Sequence, residues 1–154
     1  MSFIHSKADV AECSLGDGST IWQFVVILEG ATIGQNCNIC AHCLIEGGAV
    51  IGDRVTIKSG VFVWDGVVLG DDVFVGPGVS FTNDLYPRSK MHKGSFPETK
   101  VNAHASIGAN ATILAGITIG KSAMIGAGSV VVNDVPQNAV VVGNPAKIIR
   151  YLNP

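Results

Sequence analysis

Charge is scarce in this chain of 154 residues: Asp, Glu, Lys and Arg make up 14%, where soluble domains usually carry about 25%. Hydrophobic residues reach 47%, so solubility requires that their faces be covered, internally or by other subunits. The net charge is −2 and no basic run stands out, which leaves nucleic-acid binding without support. No apolar stretch approaches the ~20 residues of a membrane span. Met1-Ser2-Phe3-Ile4-His5 lacks the basic-then-apolar layout of a signal peptide. Only four cysteines are present, which suits a reducing compartment better than a disulfide scaffold. The expected location is the cytoplasm. No Gly-x-Ser-x-Gly motif suggests a serine nucleophile. The length fits one domain, taken as residues 1–154.

What is present is a repeat. Written in sixes from Asp9, the first position reads Asp9, Leu15, Ile21, Ile27, Ile33, Ile39, Ile45, Ile51, Ile57, Val63, Leu69 and Val75. After a break it reads Val101, Ile107, Ile113, Ile119, Ile125 and Val131. The fifth position (Cys13, Ser19, Val25, Ala31, Cys37, Cys43, Ala49, Val55) never carries a charge. A helix of period 3.6 cannot hold a six-residue pattern on one face. Six residues fit one short strand and a corner. Leu15-Gly16-Asp17 also recurs as Ile33-Gly34-Gln35, Ile51-Gly52-Asp53 and Leu69-Gly70-Asp71, at a spacing of 18. One coil therefore has three sides. Glycine at the recurring corner is expected because it tolerates φ > 0 and close backbone approach. The prediction is an all-β triangular prism of parallel strands, filled by aliphatic side chains and stabilised by coil-on-coil stacking.

The [Leu/Ile/Val]-Gly-x-x-x-x repeat, over about residues 9–80 and 101–136, resembles the hexapeptide-repeat acyltransferases. That resemblance implies a left-handed parallel β-helix and a homotrimer. The handedness rests on the family alone, since general crossover rules favour the right hand. Phe24, Trp22 and Val26 are placed to leave an outer face apolar, as a subunit interface requires.

Between the two blocks of repeat lies a segment at about 81–100 with aromatics, two prolines and much local charge. It reads as a protruding loop of 20 inserted residues, which would set Ile107-Gly108 on the corner of Leu69-Gly70. Loops of this length are usually functional or disordered. After Pro136 the pattern fades into a short C-terminal tail, with Gly143-Asn144-Pro145-Ala146 followed by Lys147 and Arg150. A turn of this kind closes many hexapeptide acyltransferases near bound coenzyme A. The plainer alternative is that it only ends the coil.

Three stretches resemble the sugar 3-N-acetyltransferases that act on dTDP-linked 3-amino-3,6-dideoxyhexoses: Ile21-Trp22-Gln23-Phe24, the run Cys37 to Glu46, and Val73 to Asp84 leading into Pro87-Arg88-Ser89. A sister group acting on UDP-linked amino sugars or uronic acids shares the Trp-x-Phe and Phe-Thr-Asn features. His104 departs from the family pattern, where glycine is more usual. The resemblance implies acetyl-CoA as cosubstrate and a sugar nucleotide as acceptor, with no metal. It places coenzyme A on the later coils at Ala115, Gly116, Lys121, Ala127, Ser129, Pro145, Lys147 and Arg150.

Residues 18 apart stack along one edge, so Glu29, Gly47, Asp65 and Asn83 form a column, with Trp64 beside it. Asn83 is the expected residue for orienting the amine or the acetyl oxygen, with Asp84 next to it. Glu29 and Asp65 are candidates for sugar hydroxyls or the ammonium. Trp64, Phe81 and Tyr86 are candidates for ring contacts and Arg88 for the diphosphate. Asn83-Asp84 also fits a simple turn, and Trp64 also fits packing against another subunit. His42 stands in the column Phe24, His42, Gly60, Gly78. It is the best candidate base if it faces the Asn83 corner of a neighbouring subunit; His5, His92 and His104 are weaker. Cys37-x-x-Cys40-x-x-Cys43 beside His42 invites a zinc reading. It is rejected, because the fifth position turns Cys37 and Cys43 inward and Cys40 elsewhere. A γ-carbonic-anhydrase-like zinc lyase and a non-catalytic assembly subunit are the alternatives of other classes. The first lacks histidines at a spacing of 18, and the long polar loop speaks against the second.

Overall fold

The computed structural model describes residues 1–91 and 94–153. His92 lies outside the described residues. The strands, mostly two residues long, stack into three sheets. The first runs through Phe3–Ile4, Thr20–Ile21, Asn38–Ile39, Thr56–Ile57, Phe74–Val75, Ser106–Ile107, Met124–Ile125 and Ala139–Val142, and ends on Lys147–Tyr151. The second runs through Asp9–Val10, Val26–Ile27, Leu44–Ile45, Phe62–Val63, Ser80–Phe81, Thr112–Ile113 and Val130–Val131. The third runs through Ser14–Leu15, Thr32–Ile33, Val50–Ile51, Val67–Leu69, Thr99–Val101 and Thr118–Ile119. All neighbours are parallel except the last pair of the first sheet. The result is a left-handed parallel β-helix. No helix among the described residues is long and apolar enough to cross a membrane.

The hexad explains this shape residue by residue. In Thr20–Ile21 the threonine faces out and Ile21 is fully buried, as alternation along a strand demands. Ile39, Ile57, Val75 and Ile107 stack on it, each 0% exposed. Fifth-position residues such as Val25, Ala31, Val55 and Ala105 fill the remaining space. The fourth residue makes the corner. Asn36, His42, Arg54, Asp72, His104, Asn110 and Ser122 all have φ between 55° and 63°. Gly60 and Gly78 do the same work in the column of Phe24 and His42.

The recurring second-position glycines have a different cause. Gly16, Gly34, Gly52 and Gly70 are absent from the positive-φ positions. A Cβ on Gly34 would meet the Gly52 carbonyl oxygen at 2.5 Å and its carbon at 2.6 Å. Close approach of the next coil, rather than backbone conformation, reserves this column for glycine.

Three details differ from the sequence reading. The first coil is one residue shorter, so Val10, not Asp9, pairs with Ile27; this removes the one non-aliphatic exception. Leu69 pairs with Val101, 32 residues on instead of 18, so the insertion adds 14 residues, not 20. Ile107 accordingly stacks on Val75, on the first sheet. Beyond Pro136 the coil does not fade. Val135 bridges Ile119, and Val141 pairs with Ile125 and is buried. The tail then folds back as a hairpin through Gly143–Ala146, laying Lys147–Tyr151 along the end of the first sheet. That strand caps the sheet edge with Lys147 and Arg150, charges of the kind that discourage edge pairing.

Gly34→Ala should therefore destabilise the protein by ~1–3 kcal/mol, the usual range for overpacking. Gly60→Asn should cost less, since no atom lies within 4 Å of a Cβ there and Asn110 already takes the left-handed conformation in that column. Denaturant midpoints of the two variants check the ranking.

Candidate functional site

The inserted loop leaves at the corner between the second and third sheets, where the coil would otherwise turn from Phe81 toward Thr99. Its exit is tied down by side chains of the coil above. The Trp64 indole N–H donates to the Phe81 carbonyl at 2.9 Å. The Asn83 side-chain N–H donates to the Asp65 carbonyl at 3.1 Å. A Glu46 carboxylate oxygen accepts the Asp65 backbone N–H at 2.7 Å. The return is tied just as firmly. Thr99 is fully buried, donates its backbone N–H to the Gly66 carbonyl at 2.9 Å, and accepts the Gly116 N–H on its hydroxyl at 3.0 Å. Phe96 and Pro97 lie over Gly66, and Pro97 lies beside Gly116.

Asn83 faces a carbonyl, so its amide nitrogen must be the end turned inward. Its Oδ1 is left as an acceptor, with no hydrogen bond of its own among the described residues. Phe81 stands opposite Ile113, and this register carries Asn83 over Ala115 in the next coil. Asp65, Asn83 and Ala115 thus follow one another down a single edge. Glu29 is exposed on that edge, two coils above Asp65. It lines an open hollow of about 430 Å³ with Glu12, Cys13 and Gly30.

Several proposed contacts stand elsewhere. Phe81 is 3% exposed and points into the prism, so it is corrected from ring contact to core residue. Ala115 is 5% exposed and offers a ligand only backbone. Ser129 is fully buried, and its hydroxyl accepts the Gly143 N–H at 3.2 Å; it holds the hairpin turn instead of facing solvent. Asp84 heads a local turn by accepting the Tyr86 N–H at 2.8 Å. Tyr86 is 75% exposed beyond it. Arg88, also exposed, donates to its neighbour's carbonyl, that of Pro87, at 2.9 Å. The coenzyme A set divides among the corners. Ala115 and Gly116 share the Asn83 edge. Ala127 and Ser129 follow the first sheet, and the Gly143–Ala146 turn docks beside them through Val130, with Pro145 exposed in it and Lys147 and Arg150 on the strand beyond. Lys121 stands on the corner between the third and first sheets, next to Ser122. No single edge of one chain carries all eight.

His42 occupies the corner between the first and second sheets, with its ring stacked on Phe24 at 5.1 Å and 25°. The whole second sheet separates it from Asn83 within the chain. His104 belongs to the remaining corner. Its Nδ1 lies 3.7 Å from Asp72, which Arg54 grips with two hydrogen bonds of 2.8 and 2.9 Å. The Arg54 guanidinium holds the Asp72 carboxyl below the ordinary Asp range. The unexpected histidine thus stands at the end of a stacked polar ladder, away from the loop. Cys37 and Cys43 are buried and point their thiols at the carbonyls of Gly52 and Lys58 in the next coil, 3.0 and 3.2 Å away. Among the described residues no group of three or more His, Cys, Asp or Glu is placed to hold a metal ion.

The edge therefore offers a fixed amide acceptor, a carboxylate and a half-buried indole, over coils with small residues at Ala115 and Gly116. That suits orienting an amine beside an extended chain lying on the backbone. With this geometry goes the repeat itself, and the chain belongs to the bacterial hexapeptide-repeat transferases. The model for bacterial transferase hexapeptide (six repeats) matches residues 12–47 and 48–83, and that for the hexapeptide repeat of succinyl-transferase matches 30–65 and 99–132. The chain is 54% identical, over 97% of its own length and 78% of the relative's, to the dTDP-3-amino-3,6-dideoxy-α-D-galactopyranose 3-N-acetyltransferase of Aneurinibacillus thermoaerophilus. Among solved structures it resembles PerB of Caulobacter crescentus in complex with CoA and GDP-perosamine, at 27% identity and TM-score 0.63, over 97% of this chain and 57% of that one. It also resembles the acetyltransferase domain of PglB of Neisseria gonorrhoeae in complex with acetyl coenzyme A, at 25% identity and TM-score 0.71, over 96% of this chain and 57% of that one. The chain thus spans a little over half the length of these two.

Burial pushes the Cys43 thiol up to about 11 and raises those of Cys37 and the less buried Cys13 as well. A thiol reagent at pH 8 should therefore label at most the half-buried Cys13 and Cys40 in the native protein, and all four cysteines only after unfolding. Mass spectrometry of the labelled sites checks this.

Proposed function

We propose that the protein transfers the acetyl group of acetyl-CoA to the 3-amino group of a dTDP-linked 3-amino-3,6-dideoxyhexose, as a cytoplasmic homotrimer. The observation that carries this reading is the 54% identity along 97% of the chain to an enzyme named for that reaction. The bound CoA and sugar nucleotide in PerB, and the acetyl-CoA in PglB, support it at the level of substrate class.

The chemistry asks little of acid–base groups. The neutral amine attacks the thioester carbonyl carbon, a C–N bond forms and the C–S bond breaks. The ammonium proton passes to the departing thiolate, giving the amide and free coenzyme A. Asn83 Oδ1 accepts an N–H of the amine and turns its lone pair toward the thioester, whose carbon lies along the edge near Ala115 and Gly116. Positioning of this kind is worth up to roughly 7–11 kcal/mol in well-oriented reactions. Asp65, Glu29 and Asp84 are the candidates for sugar hydroxyls, Trp64 and Tyr86 for the base, and Arg88 for the diphosphate. Lys121, Lys147 and Arg150 are candidates for the phosphates of coenzyme A.

A trimer gives the divided coenzyme A set a meaning. A cleft between two subunits has one wall from the Asn83 edge and the other from a neighbour's corner between its first and second sheets. That second wall carries His42, Ala127 and the Gly143–Ala146 turn. Trp22 and Phe24 near its N-terminal end are 41% and 48% exposed, and Phe62 on the adjoining sheet is 47% exposed. Apolar exposure of this kind marks interfaces. Sedimentation should give a trimer at micromolar concentration; a stable monomer would remove the shared cleft.

Thiol release from acetyl-CoA with a panel of nucleotide amino sugars should single out the dTDP-linked 3-amino sugars. Asn83→Ala should lower kcat/KM by on the order of 10²-fold, as misplacing a reactant does. His42→Ala should cost less, because the thiolate can take the proton. If His42→Ala instead loses most of the rate and the pH limb near neutrality while Asn83→Ala stays active, the base belongs to His42.

A further inference from the structure

We propose that Glu46 is a positioning residue for this reaction, acting on Asn83 through the backbone of Asp65; the inference rests on Asn83 holding the amine. Asp65 is clamped from both sides. Its N–H is received by the Glu46 carboxylate at 2.7 Å, from the coil before. Its carbonyl receives the Asn83 amide at 3.1 Å, from the coil after. Glu46 is thus two hydrogen bonds from Asn83.

The corner itself explains why a side-chain acceptor is needed. Third-position N–H groups sit where the coil turns and the ladder between strands is interrupted. On another corner the equivalent groups of Gln35 and Asp53 are received by the carboxylates of Asp53 and Asp71, at 2.8 and 2.9 Å. There the acceptor comes from the following coil. At Asp65 the residue of the following coil is Asn83, whose amide is turned to the Asp65 carbonyl, so the N–H is left for another group. Glu46 supplies it from the preceding coil, and a charged acceptor makes the bond stronger than a neutral one. Glu46 is only half-buried, and an N–H at this corner can turn to water if the carboxylate is lost. Its effect on folding is therefore small beside its effect on where Asp65 holds Asn83.

The test compares Glu46→Ala, Glu46→Gln, Asn83→Ala and the double variant Glu46→Ala/Asn83→Ala as full chains, in steady-state kinetics across pH. Glu46→Ala should lower kcat on the order of 10-fold to 100-fold, as a small misplacement does, with KM for acetyl-CoA little changed. Glu46→Gln keeps an oxygen acceptor and should recover most of the rate with an unmoved pH profile. The double variant should be no slower than Asn83→Ala, because both changes remove one positioning effect. Should Glu46→Ala fail to fold, Glu46→Met keeps the stem and removes only the acceptor. Glu46→Gln as slow as Glu46→Ala, or a double variant showing the product of both losses, would overturn the relay. Full activity of Glu46→Ala would do so as well. Full activity of Asn83→Ala, by contrast, sinks the reading of the site on which the relay rests.

Discussion

Each coil must lie on the next at hydrogen-bond distance on all three sides at once. The bonds from Thr20 to Cys37 and from Val26 to Cys43, at 2.8 and 2.9 Å, are the local form of that constraint. Two consequences follow directly. Inward side chains must stack in columns of like size, hence isoleucine on isoleucine. Corners must clear the coil beyond, hence glycine where the backbones touch. A fault in either would lift one coil from its neighbour and expose unpaired backbone on three faces, which is costly for any buried peptide group.

The same constraint decides what the sequence reveals. Columns at a spacing of 18 are visible because the regular coil repeats that number without error from Leu15 to Val75. Where a coil changes length the spacing stops being informative. The short first coil misaligns Asp9, the short last one hides Val135 and Val141, and the insertion is misjudged by one hexad. A missing hexad leaves the inward–outward pattern intact, so hydrophobicity cannot detect it; only strand pairing such as Leu69 with Val101 can. Site residues divide in the same way. The edge formed by Asp65 and Asn83 is legible as a column. That Phe81 points inward was also legible, since it occupies the first position of its hexad, and its place beside the loop masked this. The hold of Glu46 on Asp65 was not legible, because it joins residues 19 apart, one off the column.

Inserting residues at a corner is the one change this architecture tolerates cheaply. The faces on either side keep their register, with Phe74 opposite Ser106 and Phe81 opposite Ile113. The loop's two ends are tied to the coil through Trp64, Asn83 and Thr99. Among the described residues further out, Leu85, Tyr86 and Met91 are well exposed. Fixed polar groups at the base are thereby separated from exposed residues further out.

That separation suits an amine acceptor. A hydroxyl needs a base within hydrogen-bond reach, and a base needs an environment that tunes it. An amine already carries its lone pair once neutral and needs chiefly to be aimed. Backbone-anchored side chains on a rigid edge do this without an ionisable group of their own. With one amide N–H held by the Asp65 carbonyl, the fold, and not a titration, sets the direction in which the Asn83 oxygen faces.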